Sequence, residues 1–205
     1  MGLWDDRVLP LLIEKACRSH EILEERRRLV PQSAGEVLEV GVGSGLNLGL
    51  YDPDRVTGVV GVDPSAPLLA RAQVRAAKAP VPVTLVQSGA ERLALDAGRF
   101  DSAVVTYTLC SVDDPAAVLS ELVRVLKPGA PLYFVEHGLS PDAGPRRWQR
   151  RITPAWRRVS GGCPLDRDVL ALLRAAGFQL DTVDGGYGDG PRWLSYKTRG
   201  VARRP

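Results

Sequence analysis

Short apolar runs alternate with amphipathic stretches along most of the 205 residues. Residues 37–40, 56–62, 83–86, 100–106 and 131–135 are brief, mostly valine-rich and bounded by turn-forming residues, the pattern of strands in a buried parallel sheet. Between them lie segments with a helical period. Residues 66–78 are rich in alanine and leucine, and Pro80 blocks continuation. Asp113, Asp114 and Pro115 open a further helix whose buried stripe is Val118, Leu122 and Val125, and Lys127-Pro128-Gly129 ends it. Asp166 can cap a helix that runs to Ala176 and stops at Gly177. Residues 46–50 leave room only for a short helix. Residues 178–183 and 194–199 read as the last two strands, joined by the glycine-rich stretch 185–190. Strands alternating with helices of about ten to fifteen residues predict one α/β domain over 1–205, a doubly wound parallel sheet with helices on both faces.

Residues 4–29 read as a helix, with Val8, Leu11, Leu12, Cys17, Ile22 and Leu23 among charged positions. Glu24 and Arg28 stand at the i,i+4 spacing that supports it. The apolar run 8–13 is bounded by Asp5, Asp6, Arg7, Glu14 and Lys15. It is far short of the ~20 residues a membrane span needs, and no signal peptide is expected.

Candidate chemistry centres on Glu39-Val40-Gly41-Val42-Gly43-Ser44-Gly45, where the first apolar run breaks into a glycine cluster. Without Cβ atoms the backbone can turn sharply there and a ligand can approach closely. The second run ends in Asp63, whose carboxylate can accept two hydrogen bonds from a ribose diol. A dinucleotide fingerprint would need glycine or alanine where Leu46 stands, and no Lys-Ser/Thr pair follows the turn to cradle a phosphate. Glu39 would repel a phosphate and suits a ligand with an ammonium or sulfonium group.

These residues resemble the first motif of the class I S-adenosylmethionine-dependent methyltransferases. The similarity extends through Gly61-Val62-Asp63-Pro64, Phe100-Asp101, Leu126-Lys127-Pro128-Gly129 and Phe134-Val135-Glu136-His137. The resemblance implies a Rossmann-like sheet whose last strand is antiparallel, with S-adenosyl-L-methionine as cofactor. It assigns Glu39, Gly41, Gly43, Gly45 and Asn47, then Asp63 and Pro64, Gly89, Ala90 and Glu91, and Thr106 to cofactor binding. It also implies an N-terminal helical cap over 1–30 above the substrate mouth. Many relatives place an acid just before the alanine that matches Ala90, where this chain has Ser88-Gly89. Thr108-Leu109-Cys110-Ser111-Val112, Glu136-His137 and the stretch from Trp156 to Cys163 resemble a narrower branch. That branch includes the microsomal thiol S-methyltransferases and bacterial relatives.

Ligands in open parallel sheets bind beyond the carboxyl ends of the strands. The loop from Tyr107 to Ser111 is therefore the expected reacting end, with Tyr107 and Cys110 beside a small-molecule methyl acceptor. His137 is the candidate base, and a hydrogen-bonded supporting role for it stays open. The acceptor is a thiol on the narrower resemblance, with phenol, amine and lipid headgroup open. Thr106-Tyr107-Thr108-Leu109 differs from the Asn/Asp-Pro-Pro-aromatic signature of base and amide methylation, which disfavours nucleic-acid substrates.

Charge changes the picture in one place. The chain carries 27 basic and 24 acidic side chains, and six of the arginines fall between Arg146 and Arg158 with no acid among them. The remaining 21 cations face all 24 acids, so a slightly acidic body bears one basic patch. Residues 138–164 are expected to form an inserted lid with Trp148, Ile152 and Trp156 turned to the pocket. A non-catalytic protein binding a membrane surface or nucleic acid through the patch is the alternative. Three spaced cysteines point away from a disulfide framework or a zinc site and towards a reducing cytoplasm. No metal is expected, and the oligomeric state is not readable.

Overall fold

The computed structural model describes residues 19–158, 160 and 163–205. Most of the expected N-terminal helix, including Cys17, lies outside the described residues. What is described opens with α1 (His20–Leu29) and a single 3-10 turn, Val30–Gln32. Strands β1 (Gly35–Val40), β2 (Val56–Asp63), β3 (Val83–Gln87), β4 (Ser102–Thr106) and β5 (Pro131–His137) follow. They are joined in part by α2 (Ala66–Ala76) and α3 (Pro115–Val125). Then come α4 (Ala143–Trp156), α5 (Val169–Ala175), β6 (Gln179–Tyr187), the one-turn α6 (Arg192–Ser195) and β7 (Tyr196–Arg203).

The seven strands form one sheet in the order β3-β2-β1-β4-β5-β7-β6. The first five are parallel, and β7 pairs antiparallel with both β5 and β6. The doubly wound sheet and its reversed last strand are thus as expected. The order reverses at β1 and β4, which places a crevice above their carboxyl ends. Each face has its own core. One gathers Leu38, Val40, Val60, Phe100, Leu119, Leu122, Phe134 and Leu173, and the other Val37, Leu48, Tyr51, Val59, Ala72 and Val104.

Several local expectations are corrected. Residues 46–50 form consecutive tight turns and no helix, with Leu48 N–H on Gly45 and Leu50 N–H on Asn47. Asp168, not Asp166, caps α5 by accepting from Ala171 N–H at 3.0 Å. Glu24 pairs with Arg27 at 2.6 Å rather than with Arg28. β6 runs on through Gly185 and Gly186, because Gly185 without a Cβ makes room for the Tyr196 ring set diagonally on β7. The last strand begins at Tyr196, since Leu194 belongs to α6. The inserted segment contains a regular helix, α4, where no secondary structure was read.

Candidate functional site

The turn after β1 carries three glycines at positive φ, Gly41 (72°), Gly43 (53°) and Gly45 (81°). Their surroundings differ. A side chain on Gly41 would strike Thr108, and one on Gly45 would meet the α2 backbone at Ala72 Cα, 3.2 Å away. At Gly43 the nearest atom would be 3.9 Å off, so this turn presents an open backbone face. Gly43 N–H donates to Asp63 Oδ2 at 2.9 Å, and Ser65 N–H donates to Asp63 Oδ1 at 2.9 Å. Burial raises the Asp63 pKa, and those two backbone donors hold it back. A carboxylate has about four acceptor positions, so capacity for a ribose diol remains.

Pro64 follows Asp63 in the bend before α2, and Ser88 N–H donates to the Asp63 carbonyl at 3.2 Å. This brings Gly89 and the buried Ala90 alongside Asp63. Glu91 Oε2 folds back to 2.9 Å from where a Gly89 side chain would begin.

Beneath the turn lies a buried polar network. Glu39 is 1% exposed, and its Oε1 accepts from Asn47 Nδ2 at 2.9 Å while its Oε2 accepts from the Tyr51 hydroxyl at 2.7 Å. Desolvation dominates and pushes the Glu39 pKa up to about 7, against the Tyr51 bond, the nearby Arg26 charge and the Asn47 bond. Arg26, buried on α1, donates to Asn47 Oδ1 at 2.8 Å and to Thr106 Oγ1 at 2.6 Å. Asn47 and Thr106 are therefore tied to each other, at 3.1 Å, and to the helix above them. Both Glu39 oxygens are engaged by the protein below the turn.

The loop after β4 is held by a second buried carboxylate. Glu136 is fully buried and accepts from the N–H groups of Thr108 (2.8 Å), Leu109 (3.0 Å) and Cys110 (3.0 Å). Burial raises its pKa and the three donors oppose the rise. This clamp, with Tyr107 N–H on the Val135 carbonyl at 2.8 Å, holds Tyr107 at φ 56°. That is a left-handed conformation costing about 1–3 kcal/mol for a non-glycine residue. The Tyr107 ring consequently faces His137, with centroids 5.0 Å apart, and the Arg26 guanidinium lies 5.5 Å above it.

His137 is partly buried, and its Nδ1 is buried with no hydrogen-bond partner among the described residues. Burial lowers its pKa to about 4, helped by the Lys197 ammonium and opposed by Glu21 and the Tyr196 carbonyl. It is neutral at pH 7, and its burial makes it a weaker base than a free imidazole. Cys110 is buried, and its hydrogen bond with Cys163 together with burial holds its thiol well above the ordinary range. Lys197 on β7 and Glu21 form an ion pair, and Glu25 bonds Arg199 at 2.5 Å, so α1 is fastened over β7.

The structure brings Glu39, Gly41, Gly43, Gly45, Asn47, Asp63, Thr106, Tyr107, Cys110 and His137 to one edge of the sheet. It does not bring Trp148 there. That side chain is 53% exposed on the outer side of α4, which corrects the expectation that it turns to the pocket. Trp156 packs edge-on against Trp193, 6.2 Å between centroids. Arg26, Tyr51 and Glu136 were missed. Among the described residues no helix is long and apolar enough to cross a membrane, and no group of three histidine, cysteine, aspartate or glutamate side chains could hold a metal ion.

A family model described as a methyltransferase domain matches residues 38–134. The thiol S-methyltransferase TMT1B of Rattus norvegicus is 31% identical over 179 residues, covering 82% of this chain and 73% of its own. A phosphatidylethanolamine N-methyltransferase of Cereibacter sphaeroides is 40% identical over 113 residues, 54% of each chain. A SAM-dependent methyltransferase structure from Thermotoga maritima superposes with a TM-score of 0.69 at 21% identity. It covers 99% of this chain and 98% of that one, and it agrees with the fold.

Proposed function

The chain belongs to the class I S-adenosylmethionine-dependent methyltransferases, and from that premise we propose that it methylates a small thiol held between Tyr107–Ser111 and His137. The cofactor, when bound, supplies a methyl group already activated on a sulfonium centre. Gly43 would offer its open backbone face to it, Asp63 would take the ribose hydroxyls, and Gly89, Ala90 and Glu91 would lie at the base. Glu39, under the turn, provides the negative potential that a cationic ligand favours.

The observation that supports the thiol reading is the packing of His137 against Tyr107, whose burial makes it a weak base at the acceptor end. His137, at about 4, could not take a proton from a phenol or an alcohol at useful cost. A thiol of pKa about 8.5 needs no such help, because a few per cent of it is thiolate at neutral pH. Tyr107, Leu109 and Cys110 then have only to position the sulfur and exclude water, which is where most of the acceleration of an in-line displacement arises. The match across four fifths of the chain to a protein named a thiol S-methyltransferase supports the same reading.

A lipid amine is the second reading, supported by the 40% identity to the phosphatidylethanolamine enzyme over half the chain. Turnover of labelled S-adenosylmethionine against alkyl and aryl thiols, phenols and primary amines separates the two. Thiols should be methylated at least tenfold faster than the other classes. An amine, phospholipid headgroup included, that outpaces every thiol overturns the assignment.

A further inference from the structure

We propose that the outward face of α4 is a docking surface for an anionic phospholipid bilayer. The helix is two-sided. Gln149 and Thr153 are buried: Gln149 accepts from Ser140 N–H at 2.8 Å and donates to the Gly138 carbonyl at 3.0 Å, and Thr153 accepts from Leu165 N–H at 3.2 Å. At 100° per residue, Arg147 and Arg151 fall within about 40° of one line on the opposite side, and Arg158 follows just past the end of α4. Arg150 flanks that line on one side and Trp148 on the other, Arg157 caps the helix, and all six side chains are exposed.

None of these five arginines has an ion-pair partner among the described residues, although arginines elsewhere on the surface do. Arg151 instead lies 5.6 Å from the Trp148 ring centroid. The nearest acid, Asp142, is taken up by Arg192 at 2.5 Å and the Tyr187 hydroxyl at 2.7 Å. No other acid occurs before Asp166. A body that is net acidic elsewhere thus shows one uncompensated cationic ridge, the charge complement of an anionic leaflet.

A bilayer fits this ridge better than a nucleic acid does. The surface is the convex side of one helix, with a single exposed indole at its edge rather than a groove lined with stacking rings. Tryptophan beside arginine is suited to the headgroup boundary, where the ring enters and the cations stay with phosphates. The placement also has a functional consequence. Gln149 bonds Gly138, the residue after His137, so a docked α4 would set the acceptor end of the site at the membrane surface. Acceptors partitioned into lipid would then reach it without crossing bulk water.

The test is co-sedimentation of the full chain with phosphatidylcholine vesicles, pure or containing one third phosphatidylglycerol. Anionic vesicles should bind at least tenfold more tightly than neutral ones, and raising salt from 0.05 to 0.5 M should abolish the difference. The triple variant Arg147→Gln, Arg151→Gln, Arg158→Gln should lose on the order of 100-fold in vesicle affinity. Its cofactor affinity and circular dichroism should match the parent, which separates lost docking from lost folding. Trp148 fluorescence should shift to the blue on anionic vesicles, a change that Trp148→Ala removes. Equal binding to both vesicle types, or full retention by the triple variant, overturns the proposal. So does an arginine-dependent affinity for a nucleic-acid oligomer that exceeds that for the vesicles.

Discussion

Arg26 Nη1 lies 2.6 Å from Thr106 Oγ1, a buried hydrogen bond that joins the helix before the sheet to the end of its fourth strand. The same nitrogen holds Asn47, which in turn holds Glu39. One guanidinium therefore couples the cap to the glycine turn and to the reacting loop. Its Nε is buried with no hydrogen-bond partner among the described residues, a donor that the cofactor's carboxylate could satisfy.

Arg26→Ala should accordingly act twice. Removing one member of a buried charged network costs about 3–5 kcal/mol, because Glu39 and the acceptors on Asn47 and Thr106 stay behind. If Arg26 also meets the cofactor, the variant's melting temperature should rise less than the parent's when S-adenosylmethionine is added. Denaturant melts with and without cofactor measure both effects. An equal cofactor-induced rise in the two proteins would confine Arg26 to a structural role.

Glu39 makes the site pH-sensitive in a definite direction. Its folded pKa, about 7, is above the ordinary 4.5, so the fold binds more protons than the unfolded chain between those values. Its contribution is fully present below pH 4.5 and is lost as pH rises through 7, by about 3 kcal/mol in all. His137, depressed to about 4, works oppositely and loses its contribution as pH falls from 6.5 through 4. The two nearly cancel in the parent between pH 4.5 and 6.5. Glu39→Gln should expose the His137 slope, leaving stability that falls steeply on acidification. A cationic cofactor above the turn favours the carboxylate, so binding near pH 7, where about half of Glu39 is protonated, should release up to about half a proton. Calorimetry in buffers of different ionisation enthalpy reads that number directly, and Glu39→Gln should bring it to near zero.

The parts of this site that could be read from the sequence are those in which neighbouring residues state their own geometry. The three glycines, Asp63 at a strand end and the alternation of strands with helices are local signals, and each stands where it was expected. Arg26 gave none, since in a run of three arginines beside glutamates it reads as one more solvated charge. Only the packing of α1 against the sheet buries it and leaves Arg28 outside. Glu136 was overshadowed by His137 next to it. Strand alternation turns one of the two inward to the β4 loop and the other to the rim, and which is which depends on the register with β7. Tyr51 looked like the start of a turn, because nothing local indicates a buried carboxylate twelve residues upstream. The helical course of 143–156 was hidden by its arginines and by Pro154, which break the apolar periodicity that marks most helices.

The weakness of His137 as a base leads to the sharpest kinetic expectation. Moving a proton from a thiol of pKa about 8.5 to an imidazole of about 4 is uphill by roughly 6 kcal/mol. A thiolate already ionised in solution costs only about 2 kcal/mol at pH 7 and avoids the transfer. The rate at low thiol concentration should therefore rise tenfold per pH unit and level off at the acceptor's own pKa, following it from one thiol to another. His137→Ala should shift neither the slope nor the plateau position and should lower turnover by less than about tenfold, through lost packing against Tyr107. A working general base would instead be worth about 10²–10⁴ and would add an inflection belonging to the enzyme. A loss of that size in His137→Ala, together with an inflection that stays fixed when the thiol is changed, would restore the histidine as the base.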